Sequence, residues 1–266
     1  MAFKSIVIDS LLNKITTKDK LFLGDYTVDP YSNCEFGCLY CDSSFDKTIY
    51  VKINAAEIIE KELQENKKGR IIVGSVHDPY QNAEKKYMLT RKILEKISKY
   101  DFSCHILTKS DLVLRDIDVL KKIKDCFVTI SLVSINKDTS FIFEKNVIEP
   151  IKRLKIVEKL NNENIRSGVA LIPFLPYFSE NNIEDLLKSF REHNAKYFLF
   201  KHLELKGDQK KYFFKILDKY YPVFVKKYSK LYKDSYMPNE SYIKDFSNRM
   251  HKYLIEYHIP SGLETI

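Results

Sequence analysis

Three cysteines lie close together in the segment Cys34-Glu-Phe-Gly-Cys38-Leu-Tyr-Cys41. Thiolates at this spacing can converge on one soft metal centre, and the freely rotating backbone of Gly37 lets the loop wrap around it. Three protein ligands leave one coordination position open. In an iron–sulfur cubane, that position exposes one iron to a substrate or cofactor, which favours catalysis over simple electron transfer.

A zinc site is the main alternative, because three thiolates and one imidazole make a common tetrahedral zinc site and His77 or His105 could supply the imidazole. The other two cysteines, Cys104 and Cys126, lie inside apolar runs and are predicted to be buried core thiols. Five cysteines with three of them in one loop do not form the pattern of a disulfide scaffold. They predict a reducing compartment, the cytoplasm.

The elements that must position these residues follow a βα pattern, in which runs rich in Val, Ile and Phe alternate with longer segments of helical period. The predicted strands are Tyr26–Val28, Arg70–Val76, Ser103–Leu107, Cys126–Leu132, Ser167–Ile172 and Lys196–Phe200. With five helices between them they predict an α/β fold with a parallel sheet curved into a partial barrel. Two helix starts are also predicted: a capping box of Asn54 with Glu57, and an N-cap at Asn182.

Polar side chains follow the predicted strands at their carboxyl ends, where βα barrels place their active sites. They are Ser75, His77 and Asp78 after the second strand, Lys109 and Ser110 after the third, and His202 and Glu204 at the end of the sixth. We expect the groups after the second and third strands to face one site, whereas His202 and Glu204 either face the substrate or are ordinary surface or core residues. The alternatives are a turn-forming Asp78 before Pro79 and an exposed lysine turn at Lys109.

The composition describes a globular chain. Of its 266 residues 44% are hydrophobic, 13% aromatic and 30% charged, with seven Gly and eight Pro, which excludes disordered and collagen-like classes. No run of about 18 apolar residues occurs, so no membrane span or secretory signal is predicted. The length suits one large domain with an appendage.

The C-terminal segment differs from the rest, because strand patterns vanish after Gly207. From Leu205 onward 12 Lys and Arg oppose 7 Asp and Glu, so the segment carries +5 of the formal net charge of +8, and it holds nine of the 18 tyrosines. We predict a barrel over residues 1–204 and a basic, Tyr-rich helical extension over 205–266 that covers the barrel. The alternative is an electropositive surface that attracts a nucleic acid.

Here the sequence resembles a known family. The C-x3-C-x2-C spacing, with an aromatic before the last cysteine, resembles the radical S-adenosylmethionine (radical SAM) enzymes, and TVDPYSNCEFGCLYC resembles their subgroup related to spore photoproduct lyase and DNA repair photolyase-like proteins. The segments GSVHDPYQNAE, LTKSDLVLRDIDVL, TISLVSIN and ALIPFLP are similar to the subgroup's later strand ends. They keep their order over roughly residues 4 to 204.

The resemblance implies a 4Fe-4S cluster held by Cys34, Cys38 and Cys41, with the methionine amino and carboxylate groups of S-adenosylmethionine (SAM) on the fourth iron. An electron from the cluster then cleaves SAM to a 5′-deoxyadenosyl radical, which takes a hydrogen atom from a substrate. A reductant such as flavodoxin or ferredoxin is implied as a partner. The cofactors supply the difficult chemistry, and the protein supplies position and exclusion of water.

The resemblance also implies which residues contact SAM. They are Tyr40, Ser75, His77, Asp78, Lys109, Ser110, Ser131, Glu144 and Arg153. Asp78 is the preferred acceptor for the SAM ammonium, because a carboxylate is its strongest partner at neutral pH. Arg153 suits the SAM carboxylate, because guanidinium donates two parallel hydrogen bonds; a helix-surface arginine near Glu149 is the alternative.

Tyr40 and Ser75 are the candidate catalytic residues. In spore photoproduct lyase, the tyrosine matching Tyr40 works with a second tyrosine after the last cysteine and a cysteine beside the second strand to return hydrogen. Asp42 and Ser75 stand at the latter two positions, so that hydrogen-return route is altered. The alternative role of Tyr40 is packing beside the cluster.

The substrate is open among three alternatives. The resemblance and the basic C-terminus favour a nucleic acid. A peptide- or protein-modifying enzyme is the main rival, and a non-catalytic metal-binding or nucleic-acid-binding protein on the same scaffold is the third possibility.

Overall fold

A computed structural model describes residues 1–17, 19–181 and 183–263 of the chain, with ten strands in two sheets over these ranges. The strands are β1 (Ala2–Ile6), β2 (Asn13–Lys14), β3 (Tyr26–Val28), β4 (Tyr31–Ser32), β5 (Thr48–Lys52), β6 (Arg70–Val73), β7 (Ser103–Thr108), β8 (Cys126–Leu132), β9 (Arg166–Phe174) and β10 (Phe198–His202). The predicted N-cap at Asn182 lies outside the described residues.

The larger sheet carries the βα pattern. Its seven strands have the order β10-β9-β8-β7-β6-β3-β2, and all neighbours from β3 to β10 are parallel, while β2 is antiparallel to β3. The six parallel strands follow one another in chain order, as successive βα units require. This arrangement confirms the predicted α/β class with a mostly parallel sheet.

The second predicted strand ends earlier than expected, at Val73 instead of Val76. Gly74 has φ +84, a left-handed conformation that takes the chain out of the strand. A Cβ atom at Gly74 would lie 2.3 Å from Cδ of Pro79 and 2.8 Å from the carbonyl oxygen of Leu107, so only glycine fits there. The turn brings the following polar residues to the sheet edge.

The smaller sheet was not predicted from the sequence. It has the order β1-β5-β4, with β1 parallel and β4 antiparallel to β5. The predicted capping box next to this sheet is wrong. Asn54 does stand at the helix N-cap, but its side chain binds the backbone of Ile8, accepting from the N–H at 3.0 Å and donating to the carbonyl at 2.8 Å.

Helices connect the parallel strands and extend the chain beyond them. They are α1 (Ala55–Glu65), α2 (Ala83–Tyr87), α3 (Leu89–Lys99), α4 (Ile117–Leu120), α5 (Lys137–Phe143), α6 (Pro150–Asn162), α7 (Ile183–Glu192), α8 (Gly207–Tyr220), α9 (Pro222–Leu231) and α10 (Glu240–Glu256). Their apolar faces bury the main core against the sheet. None of the helices in the described part of the chain is long and apolar enough to cross a membrane.

The three C-terminal helices pack on the parallel-sheet region. Phe213 of α8 and Tyr228 of α9 are buried in one cluster with Phe36 and Tyr40 of the cysteine loop. Phe246 of α10 joins the main core instead. The apolar and tyrosine faces therefore cover the cysteine loop and one edge of the sheet, while the division into domains at residue 204 stays a prediction.

Candidate active site

A cavity of about 510 Å³ lies at the carboxyl ends of the parallel strands, between the cysteine loop and the start of α8. Eight of the twelve residues predicted to bind metal or SAM or to act in catalysis line it: Cys34, Cys38, Tyr40, Cys41, Ser75, His77, Asp78 and Lys109. The other four lie behind its wall: Ser110, Ser131, Glu144 and Arg153. The cavity thus joins the cysteine loop to the polar ends of the second and third parallel strands.

The cysteine loop is held in place by backbone hydrogen bonds. The Leu39 N–H donates to the carbonyl of Phe143 at 2.9 Å, and the Cys41 N–H donates to the carbonyl of Cys38 at 3.0 Å. Gly37 has φ +58, the left-handed conformation that its place in the loop predicts. The chain therefore curls around the cavity with all three thiol-bearing residues on its wall.

Burial favours the neutral, protonated form of two of these thiols, Cys34 and Cys38. It raises the pKa of Cys34 to about 12, with the Asp78 carboxylate adding to the shift and Lys109 opposing it. It also raises the pKa of Cys38 above its ordinary value. The neutral forms of Cys34 and Cys38 are therefore favoured in the protein by itself, and a positively charged centre is needed to hold these two as thiolates.

The three thiol-bearing residues on the cavity wall match in number the protein ligands of an iron–sulfur cubane with one open iron, and His77, a proposed zinc ligand, lines the same cavity. No three His, Cys, Asp or Glu side chains among the described residues surround a point that suits one metal ion. In a cubane, each thiolate binds a different iron, so the sulfurs stand farther apart than the ligands of one ion. His105, a proposed zinc ligand, instead bonds the Thr129 hydroxyl at 2.6 Å and does not line the cavity.

Asp29 positions the loop after β6. Its carboxylate accepts from the Ser75 hydroxyl at 2.6 Å and from the N–H groups of Val76 and His77 at 3.1 Å each. Asp29 was not predicted as a site residue, although it directly follows β3 and the strand-end rule applies to it. It fixes the side of the cavity where Ser75 and His77 lie.

Asp78 joins the ends of two neighbouring strands. One carboxylate oxygen accepts from the Tyr80 N–H at 2.9 Å and the Thr108 hydroxyl at 2.7 Å, and the other accepts from the Lys109 N–H at 2.7 Å. Burial raises the pKa of Asp78, and these hydrogen bonds oppose the rise. The second oxygen keeps a lone pair for a further donor at the cavity surface.

Lys109 and the two serines near it have separate places. The Lys109 ammonium donates to the Ser131 hydroxyl at 3.0 Å, and that hydroxyl donates to the carbonyl of Ile172 at 3.0 Å. The Ser110 hydroxyl accepts from the Leu112 N–H at 3.2 Å and so caps the short helix that follows β7. Lys109 therefore faces the cavity, and Ser110 faces away from it.

Tyr40, Glu144 and Arg153 form a buried chain of contacts. The Tyr40 hydroxyl donates to Glu144 at 2.6 Å, and the Arg153 guanidinium bonds the other Glu144 oxygen at 2.6 Å. Arg153 also donates to the carbonyl of Ser131 and to the Ser140 hydroxyl. Arg153 is thus an interior residue, and the alternative of a helix-surface arginine is wrong.

A further part of the wall comes from the end of β10 and the start of α8. Lys201 lies in β10, Glu204 follows it, Lys206 precedes α8, and Gln209 in its first turn donates from its side chain to the carbonyl of Tyr40. Of these, only Glu204 was a sequence candidate. The first turn of α8 therefore closes the cavity over the cysteine loop.

Two curated proteins are similar to this chain in sequence. An uncharacterized protein of Methanocaldococcus jannaschii is 31% identical over 166 residues, which are 57% of this chain and 61% of that protein. An uncharacterized protein of Mycobacterium tuberculosis is 25% identical over an alignment of 291 residues, covering 100% of this chain and 85% of that protein.

Solved structures show the same fold at low identity. Spore photoproduct lyase complexed with dinucleoside spore photoproduct has a TM-score of 0.76 at 15% identity, over 98% of this chain and 81% of that chain. SuiB of Streptococcus suis bound to S-adenosylmethionine has a TM-score of 0.61 at 12% identity, over 89% of this chain and 48% of that chain.

A family model connects the cavity to chemistry. The model described as the radical SAM superfamily matches residues 28–190. That stretch is more than half of the chain and includes the cysteine loop and the strands β6 to β9, whose ends surround the cavity. Because both the thiols and the strand ends fall inside the match, this chain belongs to the radical SAM superfamily.

Proposed function

We propose that Cys34, Cys38 and Cys41 hold a 4Fe-4S cluster and that the polar groups after β6 and β7 bind SAM beside it. One observation carries the proposal: the three thiol-bearing residues and the strand-end side chains line the same cavity. Three ligands leave one iron open for SAM. When bound, the two cofactors supply the electron and the 5′-deoxyadenosyl radical that takes hydrogen from the substrate.

The residues of this chain then bind and orient SAM. The free lone pair of Asp78 suits the ammonium, and the buried Nδ1 of His77, which has no hydrogen-bond partner among the described residues, suits a further polar contact. Contacts of SAM with Glu144 and Arg153 meet an ion pair that is already formed, although Nε of Arg153 has no hydrogen-bond partner among the described residues. Those contacts, and hydrogen relay through Tyr40, stay predictions.

Reductive cleavage of SAM tests this function directly. Protein reconstituted anaerobically with iron and sulfide, then given dithionite and SAM, is expected to release 5′-deoxyadenosine, which chromatography with mass spectrometry measures. There are two controls. Omission of dithionite removes the source of the electron, and the Cys34→Ala variant removes a ligand of the cluster that passes the electron to SAM. A reduced preparation that releases no 5′-deoxyadenosine, or no more than Cys34→Ala releases, contradicts the proposal.

For the substrate we propose a single-stranded or locally unpaired nucleic acid. The support is charge: Lys201 and Lys206 line the cavity, and α8 and α9 continue from it with further lysines. A peptide- or protein-modifying enzyme, and a metal-binding or nucleic-acid-binding protein without catalysis, are the rival outcomes. A flavodoxin or ferredoxin in the cytoplasm is the proposed electron source.

Salt dependence tests the nucleic-acid substrate. Affinity for a short single-stranded oligonucleotide is expected to fall about tenfold between about 50 and 200 mM salt, as for two or three phosphate contacts. Lys206→Ala is expected to flatten that dependence, and Lys61→Ala on the exposed side of α1 is the matched control. Binding that is absent, or that does not change with salt, contradicts this substrate class.

A further inference from the structure

The last residue of β10, His202, lines the cavity and is 7% exposed. Aromatic rings surround the rest of its imidazole: the ring centroids of Phe174, Phe246 and Tyr242 lie 5.3, 5.6 and 6.0 Å from that of His202. These rings fix the imidazole in the cavity wall. Besides these rings, His202 borders the cavity.

The imidazole has both of its nitrogens unpaired. Among the residues that the structure describes, buried side-chain atoms without a hydrogen-bond partner are few, and His202 contributes Nδ1 and Nε2. Leaving a buried polar atom unpaired is unfavourable, and a ligand that pairs with it recovers that loss. The site is therefore built to receive a hydrogen-bonding group.

The charge state of His202 decides what that group is. Burial lowers the pKa of His202 to about 4, and the nearby Glu180 carboxylate only partly opposes this. The ring is neutral at physiological pH and presents one N–H donor and one acceptor nitrogen. Such a ring suits a neutral polar group, such as the ring nitrogens and carbonyls of a heterocycle, better than an anion.

Anion-binding groups lie beside this neutral ring. Lys201 and Lys206 pair with the same carboxylate, Glu204, at 2.7 and 2.5 Å, so two ammonium groups share one negative charge at the cavity wall. Helix α8 begins at the residue after Lys206, and its N-terminal end favours negative charge there. A neutral hydrogen-bonding ring is therefore flanked by a site for a phosphate.

We propose that His202 binds a base of the substrate and thereby decides which nucleotide stands in the cavity, while Lys201 and Lys206 bind its phosphate. This inference rests on the proposed nucleic-acid substrate. His202 is a specificity residue in this account, because it contacts the base by hydrogen bonding and takes no part in bond breakage. We expect nucleotides whose base offers a ring N–H or a carbonyl to the imidazole to bind more tightly than an abasic site.

The test separates the base from the phosphate. Two fluorescent oligonucleotides of equal length, one of thymidines and one of abasic sites, are bound to reconstituted protein and followed by anisotropy. His202→Phe keeps an aromatic ring in the aromatic shell but removes the hydrogen bond. It is expected to weaken binding of the thymidine oligonucleotide about five- to tenfold, as for one lost hydrogen bond, and to leave the abasic one unchanged.

Two further variants complete the design. His202→Gln keeps a donor and an acceptor and is expected to recover part of the loss, whereas His251→Phe, at an exposed histidine of α10, is expected to change nothing. Equal loss for both oligonucleotides, or no loss for either, overturns the role of His202 even if wild-type protein forms 5′-deoxyadenosine. Absent 5′-deoxyadenosine instead overturns the proposed function, whatever the oligonucleotides show.

Discussion

Cys38→Ala protein is expected to retain only background iron and sulfide after anaerobic reconstitution, and Cys34→Ala and Cys41→Ala are expected to behave in the same way. Each thiolate of a cubane site binds its own iron, so the loss of any one leaves two ligands and an unstable cluster. The Cys38 side chain is also buried at the cavity wall. Iron and sulfide analysis and the visible absorption of the brown protein measure the result.

Cys104→Ala is the matched control for the loop cysteines. Cys104 is as deeply buried, but it lies in β7 opposite Cys126 of β8 and does not line the cavity. It should therefore keep the wild-type content of iron. If the loop variants stay brown, or if Cys104→Ala loses its iron as completely as they do, the assignment of the three loop thiols as ligands is wrong.

The sequence located most of the cavity because strand ends can be recognised locally. The carboxyl ends of parallel strands share one edge, so Ser75, Asp78 and Lys109 line one cavity although 31 residues separate Asp78 from Lys109. Ser110 shows where this rule stops. Adjacent residues at a strand end point in opposite directions, so Lys109 and Ser110 cannot both face the cavity. The folded structure shows that Ser110 is the one that caps the following helix.

The remaining parts of the fold depend on contacts between distant residues. Strand β1 is short and largely exposed, and its pairing partner β5 lies 46 residues later in the chain. No local hydrophobic pattern therefore predicts the smaller sheet. Gln209 reaches Tyr40 across 169 residues of sequence. Neither contact leaves a periodic signal, because each depends on how complete elements pack.

Arg153→Met is expected to lower the free energy of unfolding by about 3–5 kcal/mol, because it leaves the Glu144 carboxylate buried without its counter-ion. Both side chains of the pair are 0% exposed, so water cannot take the place of the guanidinium. Urea unfolding of the anaerobic apoprotein measures the change. Arg249→Met is the control: its partly exposed ion pairs are worth less than about 1 kcal/mol.

A second substitution tells the buried ion pair from a direct SAM contact. In Arg153→Met protein, adding Glu144→Gln removes the stranded charge but keeps an acceptor for the Tyr40 hydroxyl, so part of the lost stability should return. Recovery of SAM binding together with stability then means that the pair acts by holding Tyr40, and with it the loop between Cys38 and Cys41. Stability that returns without SAM binding means instead that SAM binding needs the Arg153 guanidinium itself.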